Sequence, residues 1–148
     1  MPTRRTAIAA VASSIALAGC LFEDAIDERG DLEIVIDGEP VDLTEDRFQA
    51  EHADDYSIDF HLHEGHDGWF MEGEERVTAG EAIDLLPHFE LDVDGGDPIV
   101  RFDGETYDAG DDGTAIEFAV DGEPIDPTAY ELRDGDELRL AIESDESA

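Results

Sequence analysis

Apolar and polar residues alternate along most of the chain beyond residue 30. Leu32, Ile34 and Ile36 alternate with Glu33, Val35 and Asp37, and the same period of two marks segments 57–63, 89–93, 99–102, 116–120 and 138–142. In an extended chain successive side chains point to opposite faces, so this pattern predicts half-buried strands. Trp69, Phe70 and Met71 read as a further short strand. One segment departs from the period. Thr78-Ala79-Gly80-Glu81 has the spacing of a helix capping box, and Pro87 stops the run that it opens, which predicts a helix from Thr78 to Leu86 with Ile83 and Leu86 facing inward. The expected fold class is therefore mainly β with one short helix, an α+β domain.

The turns repeat. Ile34-Val35-Ile36-Asp37-Gly38-Glu39-Pro40-Val41-Asp42 returns, 84 residues later, as Phe118-Ala119-Val120-Asp121-Gly122-Glu123-Pro124-Ile125-Asp126, with Thr44 and Thr128 in matching positions. A shorter copy, Asp103-Gly104-Glu105-Thr106-Tyr107-Asp108, follows Phe102. Asp-Gly supplies the positive φ angles that a two-residue hairpin requires. The echo reads either as one hairpin device used repeatedly or as a duplicated subdomain.

Composition divides the chain. Residues 1–19 hold two charges, Arg4 and Arg5, followed by an uncharged stretch of small and apolar residues. That stretch is too short for a helix across the roughly 30 Å hydrocarbon core of a membrane, and it matches a signal peptide. The paired arginines resemble the mark of twin-arginine export substrates. Leu17-Ala18-Gly19-Cys20 resembles the lipobox, where leaders are cut before a cysteine that receives acyl chains. Cys20 is the only cysteine in the protein, so it cannot form an internal disulfide. The expectation is a leader at 1–19, lipid attachment at Cys20, a membrane-proximal tether at 20–30, and one β-rich extracellular domain at 31–148. Two small β-rich subdomains remain the alternative. The protein is expected on the extracellular face of the cell membrane, held by its lipid.

Beyond the leader, six arginines face 42 acidic side chains with no lysine, a formal charge of −36. Such a body repels itself in dilute solution, whereas at about 1 M salt the Debye length shrinks to about 3 Å. The composition is that of a halophile's protein. It also excludes nucleic acid as a partner, since phosphate binding requires clustered cations and these arginines lie singly among acids.

From Phe118 onward, the strand, Asp-Gly turn, proline-containing segment and Leu132-Arg133-Asp134-Gly135-Asp136-Glu137-Leu138 ending resemble the close of a β-grasp, ubiquitin-like module. Sulfur-carrier members of that family end in Gly-Gly. This chain ends Asp145-Glu146-Ser147-Ala148, and carrier activity is not implied. A second resemblance follows the order of His61-Leu62-His63-Glu64, Gly68-Trp69-Phe70-Met71-Glu72, Val77-Thr78-Ala79-Gly80-Glu81 and Asp134-Gly135-Asp136-Glu137. In that order the chain is similar to a loosely defined group of archaeal and bacterial exported proteins and, with its leader, to an uncharacterised haloarchaeal twin-arginine lipoprotein family. Phe70 stands about where that group carries another histidine.

Three of the five histidines, His61, His63 and His66, fall within six residues. Residues two apart on a strand share a face, so His61 and His63 would present adjacent imidazoles, with His66 folding back beyond Gly65 as a third ligand. Three imidazoles with an open position suit a divalent transition metal such as Zn²⁺. The plainer reading has these histidines as structural or exposed groups bonded to backbone. His52 and His88 read as surface or packing residues. The acidic stretches 92–97 and 108–113 miss the calcium-loop spacing, since both lack the closing Glu. No nucleophile elbow, catalytic cysteine or phosphate loop is present. The sequence thus points to a non-enzymatic binding or accessory role, with a metal ion or another surface protein as partner. The alternative is a metal-dependent hydrolase at the same cluster, served by Glu64 or Glu72.

Overall fold

A computed structural model describes residues 26–144 apart from Asp55, Asp67 and Gly95. Arg4, Arg5 and Cys20 lie outside the described residues, as do positions 20–25 of the expected tether. The strands, in chain order, are β1 (Glu28–Ile36), β2 (Glu39–Pro40), β3 (His61–Leu62), β4 (Gly68–Met71), β5 (Phe89–Asp94), β6 (Asp97–Phe102), β7 (Glu105–Asp108), β8 (Ala115–Val120), β9 (Glu123–Pro124) and β10 (Glu137–Glu143). The α-helix α1 (Ala79–Leu85) separates β4 from β5, and a 3-10 turn occupies Asp46–Phe48. The domain is β-rich with one short helix, as the alternation predicts.

Seven strands form one mixed sheet in the order β3-β4-β1-β10-β8-β9, with β2 paired on β1; β5-β6-β7 form a second, antiparallel sheet. The first and last long strands, β1 and β10, lie parallel at the centre, with Asp31 opposite Glu137 and Ile36 opposite Ile142. Parallel neighbours need a crossover, and everything between them in sequence supplies it.

Alternation decides which faces are dry. Leu32 and Ile34 of β1 and Leu138, Leu140 and Ile142 of β10 are buried, and they join Trp69, Met71, Ile83, Phe89 and Val100 in one hydrophobic cluster. That cluster takes residues from both sheets and the helix. The Trp69 indole N–H, which would be costly to bury unbonded, donates to the Asp136 carbonyl at 3.1 Å. Both halves of the capping box form: Thr78 accepts from the Glu81 amide and Glu81 accepts from the Thr78 amide. Leu86, at the C-cap, has extended backbone angles, the conformation forced on a residue before proline.

The three Asp-Gly turns are alike. Asp37, Asp103 and Asp121 have φ of 53°, 51° and 53°, and the glycines after them 84°, 83° and 85°. Two consecutive positive φ values make the hairpin turn whose twist matches its strands. Asp42 and Asp126 each accept from the amide and hydroxyl of the threonine two residues on, which lowers their pKa values. Yet the copies pair differently, since β1 runs parallel to β10 while β8 runs antiparallel to it. A hairpin device used repeatedly describes this better than a duplicated subdomain. Asp37 bonds Ser144 at one end of β10 and Asp121 bonds the Glu137 amide at the other, so the two turns clamp both ends of that strand.

Two expectations are corrected. The strand reading for 57–63 holds only at His61–Leu62, because Ser57 accepts from the amides of Asp59 and Phe60 and bends the chain into a turn that leaves Ile58 exposed. The tether boundary at residue 30 lies too late. β1 starts at Glu28, pairs with β4 from Glu28 opposite Met71 to Asp31 opposite Gly68, and is preceded by an Ile26 amide donating to the Gly73 carbonyl. Polar residues there suggested a linker, but Glu28 is held by a bidentate ion pair with Arg76, whose guanidinium also reaches the Leu132 carbonyl.

That pair gives a pH prediction. The Arg76 hydrogen bond lowers the Glu28 pKa from its usual 4.5 and outweighs desolvation. A carboxyl whose pKa falls on folding contributes stability above its unfolded pKa and loses it as pH drops through the folded value. Glu28→Gln is therefore expected to cost about 1 kcal/mol at pH 7, and the gap between variant and parent should close below pH 4.5. Denaturant melts of both proteins across pH 3–7 check this. A constant gap would contradict it.

Candidate metal centre

β3 and β4 form a short hairpin pair in which His61 lies opposite Phe70 and Leu62 opposite Trp69. Leu62, Trp69 and Met71 point into the core, which sends His61, Phe70 and Glu72 to the other face. His61 is nonetheless buried there, its side chain 2% exposed, because Phe70 stacks on it at 6.2 Å and Tyr56 meets it edge-on at 5.5 Å. His63, just past the end of β3, packs against Phe70 at 4.6 Å. The Glu72 amide donates to the Ile58 carbonyl, tying the end of β4 to the turn over His61. Gly73 next to it lies close under Asp59, whose carboxylate would have to move to admit a Cβ there.

These elements bring three ligand atoms together. His61 Nε2 and His63 Nε2 are 3.1 Å apart, and Glu72 Oε1 lies 2.7 Å from the first and 3.3 Å from the second. The outer ring nitrogens are already committed. His61 Nδ1 donates to the Ser57 carbonyl at 2.9 Å and His63 Nδ1 to the Glu51 carboxylate at 2.9 Å. Neither oxygen can donate in return, so in each neutral imidazole Nε2 presents a lone pair. Two lone pairs and a carboxylate oxygen thus converge on one point, an arrangement that only a cation or a proton between them relieves.

The triangle they form fits a metal ion. Edges of 2.7, 3.1 and 3.3 Å place their common centre about 1.8 Å from each atom, so an ion at the usual bond length of about 2.05 Å would sit about 1 Å out of the plane. Further ligands would enter from the far side. Two imidazoles and one carboxylate with open positions form a donor set for a first-row transition metal. Each histidine also has the outer hydrogen bond, one to a carbonyl and one to a carboxylate, that typically orients metal-binding imidazoles.

Electrostatics support a positive charge at this point. Burial opposes protonation of His63, but hydrogen bonds to Glu51 and Glu72 outweigh it and raise its pKa. Desolvation of Glu72 is likewise overcome by its bonds to His63 and His61, and its pKa is lowered. Glu51 accepts the Glu64 amide as well as His63, and its carboxyl is held down to about 2.

His66 is the expected ligand that the structure does not bring in. Its amide donates to the His63 carbonyl through the turn at Gly65, and its ring rests edge-on against Phe70 at 5.5 Å. The ring stays against Phe70 outside the group, and Glu72 completes it instead. Glu64 also lies outside it, paired with His52 Nε2 at 2.7 Å, an interaction that raises the His52 pKa. The alternation of 68–72 could have singled out Glu72, since it shares the face of Phe70 and hence of His61. Glu51 carries no such signal, because its approach depends on the loop after the 3-10 turn. A cleft of about 720 Å³ beside His88 and Arg101 includes none of the three ligand residues. Among the described residues, no helix is long and apolar enough to cross a membrane. Comparisons with protein-family models, curated proteins and solved structures find no match to this chain.

Proposed function

We propose that the protein is a lipid-anchored, non-enzymatic binding protein of a halophile's cell surface that holds a divalent transition metal ion through His61, His63 and Glu72. The convergence of two Nε2 lone pairs and a carboxylate oxygen within 3.3 Å of one another carries the metal reading. The lipobox-like tetrapeptide at Cys20 and the paired Arg4 and Arg5 carry the address. Zn²⁺ suits the site because it accepts nitrogen and oxygen ligands without strong geometric demands. The side chains of His63 and Glu72 are 29% and 40% exposed, so the open side of the ion would face water or a partner.

A hydrolase at the same place needs a general base beside the metal-bound water. Glu72 lies among the ligands and Glu64 is turned to His52, which favours binding over catalysis.

Glu51 gives a graded test. Its carboxylate fixes the orientation of His63 without touching the ion, so Glu51→Gln is expected to weaken metal affinity by about 10–100-fold while leaving one ion per chain at saturation. Competition titration with a chromophoric chelator in high salt measures this. Unchanged affinity would remove Glu51 from the site.

A further inference from the structure

We infer that the edge of the domain carrying the metal centre faces the membrane and docks there on an integral membrane protein with an apolar and basic outer surface. This rests on the lipid-anchor and ion-binding readings above. Its own basis is where the chain enters the fold. Ile26 bonds Gly73, and Glu28 pairs with Met71, so the entry point is fastened to the two residues that flank Glu72. Six residue steps separate Cys20 from Ile26, and even a fully extended chain covers only about 22 Å in that distance. The metal centre is thereby tied close to the bilayer surface. The Asp37-Gly38 turn lies at the other end of β1, about 26 Å along the strand.

A second observation falls at the same edge. Of the large hydrophobic side chains that are exposed among the described residues, Tyr56 (44%) and Ile58 (56%) both sit on the turn that covers His61. Ile58 lines a recess of about 320 Å³ together with Asp59, Glu72, Gly73, Glu74 and Glu75. Two apolar side chains exposed beside a ligand of the ion offer surface that a partner can bury. Four acids around it oppose an anionic lipid surface and complement a basic protein one. The docked partner would meet the open side of the metal centre, where an ion can pass between them.

The chain provides a clean probe. Its one native cysteine is the acylated residue, so an introduced cysteine is the only free thiol. Asp54→Cys, two residues from Tyr56, and Glu39→Cys, both at exposed positions, are made in the full lipoprotein and treated with a membrane-impermeant maleimide in native membranes and in vesicles of the extracted lipids. The expected result is about tenfold slower labelling at position 54 in native membranes only, corresponding to about 90% occupancy of the face, with position 39 equally reactive in both. Adding Glu74→Gln and Glu75→Gln to Asp54→Cys should restore much of the labelling. Protection in vesicles as well would assign the face to lipid and overturn the proposal, as would free labelling in native membranes, protection at position 39, or indifference to the two glutamates. Metal content of the same samples separates the failures. Protection without bound metal would leave the docking and remove the ion, whereas bound metal without protection would do the reverse.

Discussion

Transfer from molar salt into 0.1 M salt is expected to lower the melting temperature by about 10 °C or more, and to do so reversibly. The core is not the weak point: it joins both sheets and the helix, with Trp69, Phe48, Phe60 and Leu140 fully buried. The surface is. Beyond residue 19, 42 acids face six arginines, and of the six only Arg47, Arg76 and Arg139 form ion pairs with carboxylates among the described residues. At 0.1 M salt the Debye length is about 10 Å, so surface carboxylates within that reach repel one another and the repulsion adds across the molecule; at about 1 M it is about 3 Å. Losing about 3 kcal/mol of stability would move the midpoint of a domain this size by about 10 °C. Calorimetry at matched pH between 0.1 and 3 M KCl reads it. A midpoint independent of salt would contradict the halophile reading.

The second large effect concerns the ligands. Glu72→Gln and His61→Ala are each expected to weaken metal binding by at least about a hundredfold, and His66→Ala to change it by less than about threefold. Glu72→Gln preserves the size and hydrogen-bonding shape of the side chain while removing its charge, so folding should survive. His61→Ala opens a hole under Tyr56 and Phe70 and needs its melting curve measured beside its affinity. The contrast with His66 separates the observed geometry from a simple three-histidine cluster. Equal losses at His66 and Glu72 would restore the cluster that sequence spacing alone suggests.

What was legible in the sequence follows from the range of the forces involved. The helix at 79–85 was readable because capping box and proline act within a few residues of it, and the hairpins because Asp-Gly is a local demand on φ. Alternation gave β5, β6, β8 and β10 nearly to their ends. It misled at 57–60, where Ser57 competes for the backbone and turns the chain despite the apolar spacing of Ile58 and Phe60. Polar composition likewise concealed the start of β1, since the Glu28–Arg76 pair joins residues 48 positions apart. The site divides in the same way. His61 and His63 were visible because two residues along an extended chain return to one side. Glu72 lies nine residues beyond His63 and shares the face of Phe70 by alternation, but its place beside His61 depends on the β3–β4 pairing, while Glu51, twelve residues before His63, carries no spacing signal. His66 was near in sequence yet is carried away by the Gly65 turn.

Metal analysis tests the central claim most directly. The protein is purified in high salt without chelator, and its metal content is measured beside that of a His61→Ala, His63→Ala double variant whose folding has been verified. One divalent transition metal ion per chain in the parent and none in the variant is the predicted result. A parent that is empty as purified, and stays empty after incubation with Zn²⁺ and the neighbouring first-row ions, would contradict it.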